Sequence, residues 1–267
     1  MPAVAETYDI QGRTVALPVE VRRARQWMAA FVVPAERARA IVAPTGLEVA
    51  EPRAGRALLA LAVVRYEDGD LDSYDELAVS FLVRRHDAAP DASARERARE
   101  VRRNRAAVYI HHLPVNQGFT LEAGRTIWGY PKFLAEFASR SEGGRTAWTL
   151  RHQGAEVLSL TFKDGGLAWP RQRPLPTYTF LDGTLRMTPW ECRLTRVRGR
   201  LGGATITLGE HPIADELRSL GLPKRPLMST GAANLWARFG RAEVVRGPAA
   251  PSSVSSEKES APTTKNV

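Results

Sequence analysis

The chain has 267 residues, 43% of them hydrophobic and 25% charged, an ordinary composition for a globular protein of one large or two small units. No stretch approaches about eighteen uninterrupted apolar residues, and the opening residues lack a basic start followed by an apolar run. Neither a membrane-spanning helix nor a secretory leader is therefore predicted, and the expected location is the cytoplasm. Cys192 is the single cysteine, which excludes an internal disulfide and a cysteine-built zinc site, while the formal charge of +9 raises nucleic acid as a partner.

In chain order, a loose lead-in with a short strand over Arg13 to Pro18 precedes the basic group Arg22, Arg23 and Arg25. Trp27 to Val33 is rich in Phe and Val and reads as a strand. Pro34-Ala35-Glu36-Arg37 opens a short helix that stops before Pro44, with Pro in its first turn and an acid close behind. Arg56 to Tyr66 and Leu77 to Val83 read as strands joined by the acidic turn Glu67-Asp68-Gly69-Asp70. Between Arg84 and Arg105, eight Arg stand against Asp87, Asp91, Glu96 and Glu100, nearly half the net charge in one segment. Its signs alternate and no aromatic residue interleaves to stack on bases, so a solvated helix or loop is predicted and nucleic acid is not.

Ala106 to Val115 resumes as a strand carrying His111 and His112. Strand neighbours point to opposite faces, so these two are not expected to share a metal, and no metal site is predicted. Thr120 is placed as the cap of a helix that runs through Trp128 and ends at Gly129, with Glu122 in its first turn. Beyond it come strands over Phe133 to Ser139, Thr146 to Arg151, Val157 to Phe162, Thr177 to Leu181 and Glu191 to Thr207, with turns at Glu142-Gly143-Gly144 and Asp164-Gly165-Gly166. A helix from Pro212 ends near Gly221, and Asn234 to Val245 closes the sheet. Residues 247–267 are Ser, Pro, Thr and Lys with little apolar content and are expected to be a disordered tail after one domain over 1–246. The sum is a β-rich α+β fold without the regular strand–helix alternation of a Rossmann or barrel enzyme.

The chain contains 33 Arg but only five Lys, and the first, Lys132, follows a proline among Trp128, Tyr130, Phe133 and Leu134. A lysine in apolar company can surrender its proton and act as a nucleophile, which Arg cannot do. Full burial moves a lysine by up to about 3 to 5 pKa units, enough to make a useful fraction neutral at pH 7. Tyr130-Pro131-Lys132 also fits a plain turn with an exposed lysine. A phosphate loop does not fit, because Gly124-x-x-x-x-Gly129 is followed by Tyr130-Pro131 where Lys-Ser/Thr is needed.

Gly124-Arg125-x-x-x-Gly129-Tyr130-Pro131-Lys132 resembles the Schiff-base lysine motif of the acetoacetate decarboxylase superfamily, a resemblance that runs from about Arg25 to Val245. It implies a curved antiparallel sheet, cone- or barrel-like, enclosing an active-site cavity, and commonly a homo-oligomer. It also implies a lyase that decarboxylates a 3-oxo acid through an imine on Lys132, without metal or organic cofactor. By the same resemblance Glu76 is the proton-handling acid and Arg25 the arginine that orients it or the substrate carboxylate. Trp128, Tyr130 and Phe133 are the expected pocket residues. Phe133 stands where decarboxylases of the family carry a second lysine, and the apolar Leu58 to Leu61 run has no match for a further acid, which implies a larger or less polar substrate. Aldol, dehydration or cyclisation chemistry on the same lysine stays open as an alternative, and a non-catalytic small-molecule-binding protein as an outsider.

Overall fold

The computed structural model describes residues 6–88, 92–103, 105–170 and 174–247. Its strands in chain order are β1 (Thr7–Ile10), β2 (Arg13–Ala16), β3 (Val19–Pro34), β4 (Arg56–Gly69), β5 (Tyr74–Arg84), β6 (Ala106–Val115), β7 (Lys132–Leu134), β8 (Glu136–Glu142), β9 (Arg145–His152), β10 (Ala155–Lys163), β11 (Leu167–Ala168), β12 (Thr177–Leu181), β13 (Thr184–Thr188), β14 (Trp190–Leu201), β15 (Ala204–Leu208), β16 (Met228–Phe239) and β17 (Glu243–Arg246). The helices are α1 (Ala35–Val42), α2 (Ala94–Arg102), α3 (Gly118–Trp128) and α4 (Pro212–Ser219). Among the described residues no helix is long and apolar enough to cross a membrane. The tail expected over 247–267 lies, Gly247 aside, outside the described residues.

The strands form a β-rich α+β fold, as expected. The large sheet runs β11-β14-β16-β3-β4-β5-β6-β12-β13-β17, with β7 added beside β6. It is antiparallel except where β12 and β7 lie parallel to β6, and its hydrogen bonding stays open between the β11 and β17 edges rather than closing into a barrel. A smaller sheet, β15-β10-β9-β8, covers one of its faces, and β1-β2 is a separate hairpin.

Two stretches expected as single strands are each divided between the sheets. Phe133 to Ser139 breaks at Ala135, whose N–H is held by the Val115 carbonyl at 2.9 Å, so that β7 stays in the large sheet while β8 enters the small one. Glu191 to Thr207 breaks at Gly202-Gly203, both left-handed with φ of 61° and 77°. A side chain at Gly203 would sit 2.4 Å from Ser229 Oγ, so this corner requires glycine on both counts. The Asp182-Gly183 turn, with φ of 51° and 71°, folds β13 back on β12 as a tight hairpin that a search for apolar runs passes over.

The alternation of the central strands builds a core on one face and a hollow on the other. Leu59, Leu61 and Val63 of β4, Leu77, Val79 and Phe81 of β5, and Ala29 and Phe31 of β3 share a core with Trp148, Leu158, Leu160 and Phe162 of the small sheet. On the opposite face stand Gln26, Met28, Ala60, Ala62, Ala78 and Ser80. Bulk on one side and small residues on the other leave space where a packed layer would otherwise sit.

The basic segment does form an exposed helix, α2, closed by a capping box in which Ser93 and Glu96 exchange hydrogen bonds. Its first arginine is different. Arg84 is 3% exposed and clamps Glu48 at 2.7 Å and Glu100 at 2.9 Å, so it fixes the helix to the end of the central strand β5 rather than joining a solvated surface.

Leu160→Ala, at a fully buried site between the sheets, is expected to lower unfolding free energy by about 2 to 5 kcal/mol in urea titrations. Leu201→Ala, at an 80% exposed site, should stay within about 0.5 kcal/mol.

Candidate active site

Lys132 is delivered by α3 and a tight turn. Gln117, rather than Thr120, caps the helix: its side chain accepts from the Thr120 N–H at 2.6 Å. The helix therefore begins two residues before Thr120, which lies inside its first turn with no backbone to cap, and Glu122 falls outside that turn. At the far end Gly129 is left-handed, and the Gly129 and Tyr130 N–H groups close onto the Arg125 and Gly124 carbonyls at 3.1 and 3.0 Å. Pro131 then sits at the centre of a γ-turn closed by the Lys132 N–H on the Tyr130 carbonyl at 2.8 Å.

Two further motif residues act on the lysine itself. Arg125 donates to the Lys132 carbonyl at 3.2 Å, pinning the start of β7. Gly124 leaves the channel through which the side chain runs, since a Cβ there would lie 2.6 Å from Lys132 Cδ and 2.7 Å from Cε. A larger residue at 124 would move the amine.

The amine, on a side chain 4% exposed, is held on three sides. Nζ lies 2.9 Å from Glu76 Oε2, donates to Thr120 Oγ1 at 2.9 Å, and stands 5.0 Å from the centroid of the Tyr74 ring. The other Glu76 oxygen accepts from the Tyr66 hydroxyl at 3.1 Å, and the Tyr66 and Tyr74 rings stack at 4.2 Å. Burial and then the Glu76 charge push both phenols well above their ordinary range, so both remain protonated donors. Burial likewise raises Tyr130, whose hydroxyl meets Thr177 Oγ1 at 3.1 Å. The result is a connected proton path of phenol, carboxylate, amine and hydroxyl.

Lys132, Glu76, Tyr66 and Tyr74 of this cluster line a cavity of about 320 Å³. The lining is otherwise mainly aliphatic and aromatic, including Met28, Ala62, Ile110, Leu113, Leu235 and Phe239. Among its described residues the charged side chains are Lys132, Glu76 and Asp72, and Asp72 is paired with Arg13 at 2.6 Å. Glu76, Trp128 and Tyr130 line the cavity together with Lys132; Thr120, Tyr66 and Tyr74 stand around the amine and its carboxylate and were not expected there.

Arg25 and Phe133 are not brought to it. Arg25 is exposed on β3, its guanidinium 5.2 Å from the Trp27 ring, because Ala24, Gln26 and Met28 take the inner side of the sheet. Phe133, one residue after the lysine on a strand, points to the other face and packs against His152 at 4.8 Å between centroids. Phe133, expected among the pocket residues, is thus directed away from the cavity.

Strand parity also fails at His111 and His112. The β5–β6 register steps from Val79↔His112 to Ser80↔Ile110, a bulge that leaves His111 unpaired. Val108, Ile110 and Leu113 line the cavity, while both imidazoles emerge on the opposite face, each with Nε2 within 3.1 Å of Glu216. The expectation that they diverge is therefore corrected.

The sequence profile described as acetoacetate decarboxylase (ADC) matches residues 6–245. Among curated proteins none matches. A solved acetoacetate decarboxylase superposes with a TM-score of 0.67 at 18% identity, over 85% of this chain and 89% of that one. The acetoacetate decarboxylase of Legionella pneumophila subsp. pneumophila str. Philadelphia 1 gives 0.66 at 16% identity, over 92% of each chain. The enduracididine biosynthesis enzyme MppR, complexed with the condensation product of pyruvate and imidazole 4-carboxaldehyde, gives 0.62 at 14% identity, over 91% of this chain and 98% of that one.

Cys192 lines the same cavity, and burial pushes its thiol up to about 11. At pH 8 its thiolate fraction should be roughly two hundred times smaller than that of a free cysteine near 8.5. Iodoacetamide is expected to spare Cys192 in the folded protein and to modify it fully in denaturant, with mass spectrometry as the readout.

Proposed function

The chain belongs to the acetoacetate decarboxylase family, and from that premise we propose that it is a Schiff-base enzyme acting on an oxo acid through Lys132. The observation that carries this reading is the Lys132–Glu76 contact at 2.9 Å inside an apolar cavity. A buried ion pair is weak as a stabilising device, because desolvation of both ions offsets their attraction. Its position in the wall of a cavity points instead to chemistry.

In this reading Lys132 passes a proton to Glu76 and the neutral amine adds to the substrate ketone. The carbinolamine loses water, with Glu76 or the Tyr66 hydroxyl behind it supplying the proton. The protonated imine then draws in the electron pair released as the C–C bond to the carboxylate breaks and carbon dioxide departs. Protonation of the enamine carbon and hydrolysis of the imine return the ketone and the free lysine. Each step uses groups already within hydrogen-bonding reach of one another. We propose decarboxylation of a 3-oxo acid as the overall reaction.

A second reading keeps the nucleophile and changes the outcome: the enamine attacks an aldehyde, as in an aldol condensation followed by dehydration. It is favoured by the absence of a cation from residue 133 in the cavity, and by the similarity to MppR, whose complex contains a condensation product.

Three measurements test the proposal. Borohydride added with acetoacetate or pyruvate is expected to fix mass on the peptide containing Lys132 and to leave Lys132→Arg unlabelled; no adduct on folded protein across several oxo acids would refute the nucleophile. Carbon dioxide release from 3-oxo acids, run beside condensation of pyruvate with an aldehyde, separates the two outcomes. Glu76→Gln should lower turnover by roughly 100- to 10,000-fold while Tyr66→Phe costs less.

Gly124→Ala should dissociate stability from reactivity. Alanine favours the helix by up to about 1 kcal/mol, yet the added methyl displaces the amine, and trapping is expected to slow by about 100-fold. Unchanged trapping would show that Gly124 does not position the lysine.

A further inference from the structure

The chain has five histidines, and His111, His112, His152 and His211 gather where α4 meets β6 and β9. His111 Nε2 lies 3.1 Å from both Glu216 oxygens, and His112 Nε2 lies 3.0 Å from Oε1. One donor atom from each of the three residues falls within 4.8 Å of the others. All three side chains are partly buried. Behind them, His211 caps α4 by accepting from the Ile213 N–H at 3.1 Å, and its Nε2 meets His152 Nδ1 at 3.0 Å.

The convergence depends on the bulge. An unbroken strand would send adjacent imidazoles to opposite faces; the unpaired His111 brings both to one carboxylate. We propose that His111, His112 and Glu216 bind a divalent transition metal ion of tetrahedral preference, zinc being the best fit. Two imidazole nitrogens and a carboxylate form a known type of zinc donor set, with water as the fourth ligand. Metal–ligand bonds near 2.0 to 2.1 Å place neighbouring ligands of a tetrahedron about 3.3 Å apart. The two imidazole–carboxylate separations, 3.1 and 3.0 Å, lie within a few tenths of an ångström of that value, and the three donors fall within 4.8 Å of one another, so the imidazole nitrogens have at most about 1.5 Å to close as the ion binds.

Glu216 supplies the anion. When Nε2 of His111 takes the metal, its Nδ1 carries the proton and faces the Tyr109 hydroxyl at 3.4 Å, the kind of outer contact that orients a metal-bound histidine. The ion would bolt α4 to the β6 bulge. That bulge returns Leu113 to the cavity face, and Leu113 is the β-partner of Lys132, so the site would brace the strand pairing that carries the lysine from behind.

The test uses the full chain, made without a polyhistidine tag and stripped with chelator. Calorimetric titration with zinc chloride is expected to show one equivalent bound, and cobalt chloride should give the visible absorption bands of a tetrahedral ion. His112→Ala and Glu216→Gln should each weaken binding by more than about 100-fold, whereas His86→Ala, at the histidine outside the group, should leave it unchanged. Melting curves in chelator report whether each variant folds. Zinc should raise the wild-type melting temperature and leave that of Glu216→Gln unmoved. Failure of the wild type to take up zinc or cobalt overturns the proposal whatever the variants do, as does binding that survives Glu216→Gln or disappears in His86→Ala.

Discussion

The arrangement around Lys132 depends on one contact, the amine against the Glu76 carboxylate in an apolar hollow. Neither ion has water enough to be solvated alone, so each needs the other, and both need the hydroxyls that fill their remaining hydrogen-bonding positions. Thr120 supplies one and Tyr66 the second. The face of Tyr74 covers the ammonium on a third side. The surrounding elements can be understood as the means of holding this group: α3 offers Thr120 and a glycine channel, β5 offers Glu76 and Tyr74, and β4 offers Tyr66.

The hollow itself comes from unequal packing of one sheet. A strand such as Leu59-Ala60-Leu61-Ala62-Val63 places its bulk against the small sheet and its methyl groups toward the site. Cores avoid voids because lost contacts are costly. Here the open side is tolerated because the opposite face is closely packed and the cavity walls are long, hydrogen-bonded strands. Stability and binding space are thus assigned to opposite faces of the same strands.

Much of this was legible in sequence, and the failures share a cause. Lys132 stood out because lysine is rare beside arginine and because the residues before it form a recognisable motif; Gly124, Arg125 and Gly129 each prove to act on its position. Glu76 followed from the family resemblance. Arg25 was assigned by the same resemblance and Phe133 by its place beside Lys132, and each points to the far side of its strand from the cavity, since a step of one residue reverses the face. His111 and His112 failed for the complementary reason: parity was applied where a bulge suspends it, and no local signal marks an inserted residue. Thr120 was read as a cap because Thr suits that role better than Gln, whereas the tertiary contact to the lysine decides where its hydroxyl goes.

The orientation of Phe133 bears on how the proposed chemistry would work. With residue 133 turned toward His152, Glu76 is the charged partner within contact of the amine, and the proton leaving Lys132 has a direct acceptor at 2.9 Å. A substrate carboxylate entering the cavity meets mostly hydrocarbon, a setting in which a localised negative charge is poorly stabilised. Loss of carbon dioxide moves that charge into the imine, where it is neutralised, so the apolar walls disfavour the reactant more than the transition state. Condensation gains nothing comparable, because its enamine enters the bond-forming step without a carboxylate leaving. The composition of the walls therefore supports the proposed decarboxylation over condensation, and with Phe133 turned away that support comes from the cavity instead of from a second cation.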